Sequence, residues 1–320
     1  MQFALRVLRG LGQVTFVPRA LTGALFVVAL FAAGWEYGLY GLGGAVVGTG
    51  IAALLGVERE RVTQGLEGFN SCLVGVSCAV FLRPERPATV LVALLGCAVV
   101  TVVTAAAGRA LDTFGLPALT LPFCAVASAV ALAAPAFPRV WTGGGLAALP
   151  GPVELGAQGP GPAELAQGFL AGFGQIFLMP QWYVGAFVFA GLLAAGPRVA
   201  GVAALGNLVG MVTAGLLGTP AERLAEGTSG YNAILVALAL GGVFLEFGPR
   251  TLVYALAGAA ASTAFAPALG ALTAPAGGHA LTWPFVLVTL AFLAAARSFP
   301  KLTERGSGPA PAQADPDPQP

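Results

Sequence analysis

Charge is scarce in this chain. Asp, Glu, Lys and Arg together make up 9% of 320 residues, where a water-soluble domain carries about a quarter. That scarcity excludes an ordinary soluble fold. A net charge of +1 without a basic cluster also excludes a nucleic-acid binder. Histidine occurs once and cysteine four times. Cys72, Cys78, Cys97 and Cys124 all lie in apolar segments of the first half, with no zinc-ligand spacing, and read as buried free thiols. No metal or other cofactor is implied. No Gly-x-x-x-x-Gly-Lys string is present, so ATP-driven work through that motif is excluded. A cleavable signal peptide is not expected, because Arg6, Arg9 and Arg19 interrupt the first apolar stretch.

What the chain has is apolar length and internal repetition. Hydrophobic residues make up 57%, and 46 glycines suit close helix approach in a bilayer. The sequence repeats at an offset of 162 residues that never slips: Gly12-Gln13 matches Gly174-Gln175, Gly68-Phe69-Asn70 matches Gly230-Tyr231-Asn232, and Leu119-Thr120 matches Leu281-Thr282. Each copy holds five apolar runs, at 20–34, 37–57, 69–82, 88–108 and 115–137, then at 182–196, 199–218, 231–245, 251–271 and 276–296. Runs two, four and five reach the roughly 20 residues a spanning helix needs. Runs one and three are shorter in both copies. A further short segment opens each copy (3–18 and 165–180), ends at a proline, cannot span alone, and is expected to be re-entrant or to lie at the membrane interface. Short or broken segments at matching places in two halves point to a transport site between them.

Five crossings per copy is an odd number, so the second copy must insert upside-down relative to the first. The expected architecture is therefore an all-α integral membrane protein of two inverted-topology repeats. Each repeat has five transmembrane helices plus one re-entrant half-helix. Loop charge gives the sidedness. One side collects Arg6, Arg9, Arg19, Arg59, Arg61, Arg109, Arg198, Arg250, Arg297, Lys301 and Arg305; the other collects Arg83, Arg86, Arg139 and Arg223. Both termini are thus expected in the cytoplasm of a cell (plasma or inner) membrane. The expected divisions are a first repeat at 1–140, an extracytoplasmic Gly/Pro-rich linker at 141–164, a second repeat at 165–300 and a disordered cytoplasmic tail at 301–320.

Polar residues inside such runs are costly and each needs a reason. Gln13 and Gln175 follow glycines at the ends of the opening segments. Thr120 and Thr282 stand two residues before Pro122 and Pro284, inside run five. A lone membrane threonine ordinarily bonds to a carbonyl one turn back. Two matched threonines beside helix-breaking prolines suggest instead a polar path lined by freed carbonyls. Asn70 and Asn232 read as helix caps at the start of run three. Glu60-Arg61 and Glu222-Arg223 read as solvated loop ion pairs.

Gly12-Gln13-x-x-Phe16, Gly68-Phe69-Asn70-x-x-Leu73-Val74-Gly75 and Leu116-Pro117-x-x-Thr120-x-Pro122-Phe123 together resemble the urea transporter family. The resemblance covers about residues 5–137 and 165–299, and its specificity lies in the doubling. It implies a pore on the pseudo-twofold axis of each subunit, three subunits to an assembly, and passive passage of urea down its gradient. It implies a lining of Gln13, Val14, Phe16, Leu73 and Thr120 from the first half, with Gln175, Ile176, Leu178, Leu235 and Thr282 from the second. Phe16 and the aliphatic residues would shape a flat slot, and glutamine, threonine and backbone oxygens would accept amide N–H bonds. Stripping an amide of water without replacement costs about 4–8 kcal/mol, so neutral acceptors are required.

Three positions depart from the family pattern. Leu178 stands where phenylalanine is expected, His279 matches Pro117, and Trp283 matches Leu121. These leave open a channel for other small amides. Gly227-Thr228-Ser229-Gly230 with His279 resembles an intramembrane serine protease. Neither Ser229 nor His279 belongs to the repeated set, however, so no enzyme is expected. An ammonia channel would want paired histidines, and a proton-coupled carrier would want a carboxylate inside an apolar run. Asp and Glu stand in loops or at helix ends.

Overall fold

The computed structural model describes residues 2–142, 160–303 and 305. Most of the expected linker and tail lies outside these. Among the described residues the first copy folds into α1 (Gln2–Gln13), α2 (Ala20–Ala33), α3 (Trp35–Leu54), α4 (Arg59–Gln64), α5 (Phe69–Phe81), α6 (Pro87–Asp112) and α7 (Leu121–Ala133). The second gives α8 (Pro162–Gly174), α9 (Trp182–Ala195), α10 (Pro197–Leu216), α11 (Ala221–Ala225), α12 (Tyr231–Leu238), α13 (Pro249–Thr273) and α14 (Trp283–Ala296). α2 and α9, and likewise α3 and α10, begin and end at positions 162 residues apart. Local sequence sets four of the helix starts: Pro87, Pro162, Pro197 and Pro249 open α6, α8, α10 and α13, where the missing N–H costs nothing. α8 thus begins inside the segment assigned to the linker.

Among the described residues four helices are long and apolar enough to cross a bilayer: α3, α6, α10, and α13 with its terminal turn. Leu91, Leu95 and Val102 of α6, and Val253 of α13, stay exposed, as a lipid-facing surface requires. α8 with its terminal turn, and α9, together make an apolar pair bent by 76°. Runs one and three form short helices, as read. Run five does not form the expected spanning helix: α7 has 13 residues and α14 has 14. The apolar stretch before each is non-helical, because Leu119 and Leu281 adopt left-handed φ of 52° and 46°. Pro122 and Pro284 do not break a helix; they sit in the first turn of one.

The two copies pack together along α2–α9 and α7–α14. Thr22 of α2 donates its hydroxyl to the Gly191 carbonyl of α9 at 3.0 Å. The Trp283 indole of α14 donates to Ser128 Oγ of α7 at 3.1 Å. A single buried core runs through both copies, from Leu11 and Phe26 to Leu235 and Phe285.

Candidate functional site where the copies meet

Backbone strain marks the site. Among the described residues four non-glycine positions have positive φ: Phe16 (62°), Leu119 (52°), Leu178 (63°) and Leu281 (46°). They form two pairs at the repeat offset. Left-handed φ costs an L-residue about 1–2 kcal/mol and concentrates at functional sites. Phe16 and Leu178 are themselves expected lining residues; Leu119 and Leu281 directly precede the two threonines.

Thr120 and Thr282 occupy the N-cap positions of α7 and α14 without a side-chain capping bond, and both are buried. Their hydroxyls lie 2.7 Å apart, so each half supplies one partner of the same hydrogen bond. Cys124 Sγ lies 3.1 Å from Thr282 Oγ1. Cys124 is buried and free, as read, but the repeat gave no sign of its place beside the threonines, because Val286 occupies the matching position.

Asn70 and Asn232 are caps, but not of their own helices. Asn70 Oδ1 accepts the Phe123 N–H at 3.3 Å, and Asn232 Oδ1 accepts the Phe285 N–H at 3.1 Å. Each therefore satisfies the first turn of the neighbouring helix that carries a site threonine. The other amide atoms differ. Asn70 Nδ2 donates to Leu119 O and Thr104 Oγ1, both at 3.4 Å. Asn232 Nδ2 has no partner, while the Tyr231 hydroxyl donates to Leu281 O at 2.6 Å. Leu281's carbonyl is therefore occupied within the protein, although the sequence suggested it would be free.

Gln13 Nε2 donates to Gln64 O at 3.0 Å and Gln175 Nε2 to Glu226 O at 2.9 Å, again matched at the offset. Their amide oxygens take no part in these bonds and keep acceptor capacity. Gln13, Phe16 and Leu119 line a cavity of about 610 Å³ together with Arg61, Glu67, Phe69 and Phe244. The Phe16 ring meets Phe244 edge-on at 5.9 Å and Phe285 at 6.1 Å. Phe244 had no repeat signal, since its counterpart is Leu82. Val14, Leu73, Ile176 and Leu235 are buried in the core, and Leu178 is partly buried.

Arg61 does not pair with Glu60, as the sequence suggested. It reaches Glu67, with Nε and Nη2 at 2.9 and 2.8 Å from Oε1, because the α4–α5 turn carries Glu67 back over it. Glu60 instead accepts from Gln64 at 2.7 Å. His279 stacks on Phe81 with ring centroids 3.8 Å apart, and partial burial lowers its pKa below the usual value.

An all-helical core with several apolar helices of membrane length, and matched uncharged residues in contact within it, defines an integral membrane protein. The sequence profile of the urea transporter family matches residues 4–297. Urea transporter 1 of Ovis aries is 30% identical over 312 residues, covering 94% of this chain and 79% of its own length. Urea transporter 1 of Mus musculus is 29% identical over 304 residues with the same coverage. The chain belongs to the urea transporter family, a family of transporters rather than enzymes.

Proposed function

We propose that this protein is a passive, channel-type conduit that carries urea across a cell membrane down its concentration gradient. The observation that carries the reading is the Thr120–Thr282 contact. It places a neutral, hydroxyl-lined point where the two halves meet, and each hydroxyl keeps lone pairs for an amide N–H. The proposed lining is Gln13, Val14, Phe16, Leu73 and Thr120 with Gln175, Ile176, Leu178, Leu235 and Thr282. Phe16 and Phe244 flatten one mouth; at the other, Leu178 and Leu82 replace both rings.

Inverted topology is part of the proposal. The residues that lead into and open α5 (Glu67, Phe69) and the residue that closes the helical turn Ala239–Val243 continuing its counterpart α12 (Phe244) line the same cavity. Equivalent helices that meet end to opposite end support antiparallel repeats about a shared pore axis. On this reading α1 and α8 are the re-entrant half-helices, and the mouth with Arg61 and Arg109 faces the cytoplasm, as do both termini. Three subunits with one pore each are proposed from the family resemblance.

Stopped-flow light scattering on proteoliposomes tests the reading. Urea entry should exceed that in empty liposomes and should be indifferent to an imposed proton gradient. Entry at the empty-liposome rate would remove urea transport; flux that tracks the proton gradient would establish a coupled carrier instead.

A further inference from the structure

We infer that the Arg61–Glu67 pair is a recognition point for the substrate at the Phe16 mouth, with Glu67 a specificity-determining residue that the opposite mouth lacks. The inference rests on the urea-channel reading. Glu67 is 4% exposed and Arg61 partners one of its oxygens, Oε1, through two nitrogens. Both residues line the cavity that Gln13 and Phe16 line. Burying a carboxylate beside an apolar cavity is expensive, and a pair open to water on its cationic side contributes little to stability. A structural role would need the fold to depend on it.

The repeat provides an internal control. In the second copy Arg223 stands at the Arg61 position but Ser229 stands at the Glu67 position. That copy nevertheless builds a matching short helix, the same left-handed glycine (Gly65, φ 81°; Gly227, φ 74°) and a following helix that starts at the matching residue, Tyr231 for Phe69. The turn therefore forms without the carboxylate. What Glu67 adds is chemical. A planar diamide offers N–H donors and one carbonyl acceptor; Glu67 Oε2 can accept the first, and the remaining Arg61 N–H groups can donate to the second. Because the pair sums to zero charge, it adds no net field to hold an ion. The substrate begins to exchange water for protein partners here, before the glutamine and threonine.

The test is urea flux against urea concentration in proteoliposomes, for the wild type, E67Q and E67S. Serine is the residue the second copy tolerates at this place, so E67S keeps the test valid if glutamine misfolds. Loss of the charge-assisted acceptor should raise the half-saturating concentration about threefold to tenfold while maximal flux stays within about twofold. Unchanged half-saturation in both variants overturns the inference. So does lower maximal flux at unchanged half-saturation, or failure of both variants to accumulate, since either makes the pair structural. Absence of urea flux in the wild type removes the channel reading itself.

Discussion

The side-chain oxygens of Thr120 and Thr282 stand 2.7 Å apart, one from each copy of the repeat. Each stands at the N-cap position of a short helix, behind a leucine held at positive φ. The strain is tolerated because both turns are fixed from outside by Asn70 and Asn232. Those asparagines are thus part of the site although they are not proposed to touch the substrate.

T120V and T282V should each lower urea permeability about tenfold, because valine keeps the shape and removes one oxygen, a loss of about 1–2 kcal/mol. The double variant should be less damaging than the product of the two, since the hydroxyls share one bond. Stopped-flow permeability of all three proteins measures this.

Asparagine replacement should separate the two turns. N70D loses the Nδ2 donor that Leu119 O and Thr104 Oγ1 use; N232D loses a donor that has no partner. Both keep the oxygen that caps the next helix. Thermal unfolding in detergent should show N70D as the more destabilised, by about 1 kcal/mol. Equal losses would argue that the cap alone matters.

Two glycines close the bend at which each copy's first helix returns. A Cβ at Gly23 would overlap the Leu8 carbonyl, and one at Gly185 the Leu170 carbonyl. G23A and G185A should each cost about 2–3 kcal/mol. At Gly43 and Gly201 a Cβ meets nothing within 4 Å. Alanine there should be neutral or stabilising by a few tenths of a kcal/mol, as in any exposed helix position. Melting temperatures of the four variants decide it.

His279 should make stability fall in mild acid. Its pKa in the folded protein is lowered from the ordinary 6.5, so the unfolded chain binds the proton more readily. Its contribution is complete above about pH 6.5 and is lost as pH falls toward the folded value. The wild type should melt lower at pH 5 than at pH 7.5 by an increment that H279F, which keeps the ring stack, does not show.

The repeat made much of this legible. Gln13 with Gln175, Thr120 with Thr282, and Asn70 with Asn232 all stood out because polar residues kept register inside apolar runs. The same register hid what was unpaired. Phe244, Cys124 and Glu67 match Leu82, Val286 and Ser229, so repetition carried no signal for them. Run five misled for a different reason: hydropathy counts apolar residues and is blind to the positive φ of Leu119 and Leu281.

By itself the sequence determined a membrane protein built twice from one unit, because low charge and a fixed offset are properties of the chain before it folds. Tertiary structure decided which groups meet. Thr120 finds Thr282, Asn70 caps α7, and Arg61 turns from Glu60 to Glu67. Such pairings depend on where strained turns and close helix crossings aim short side chains, and one-dimensional spacing does not encode those directions.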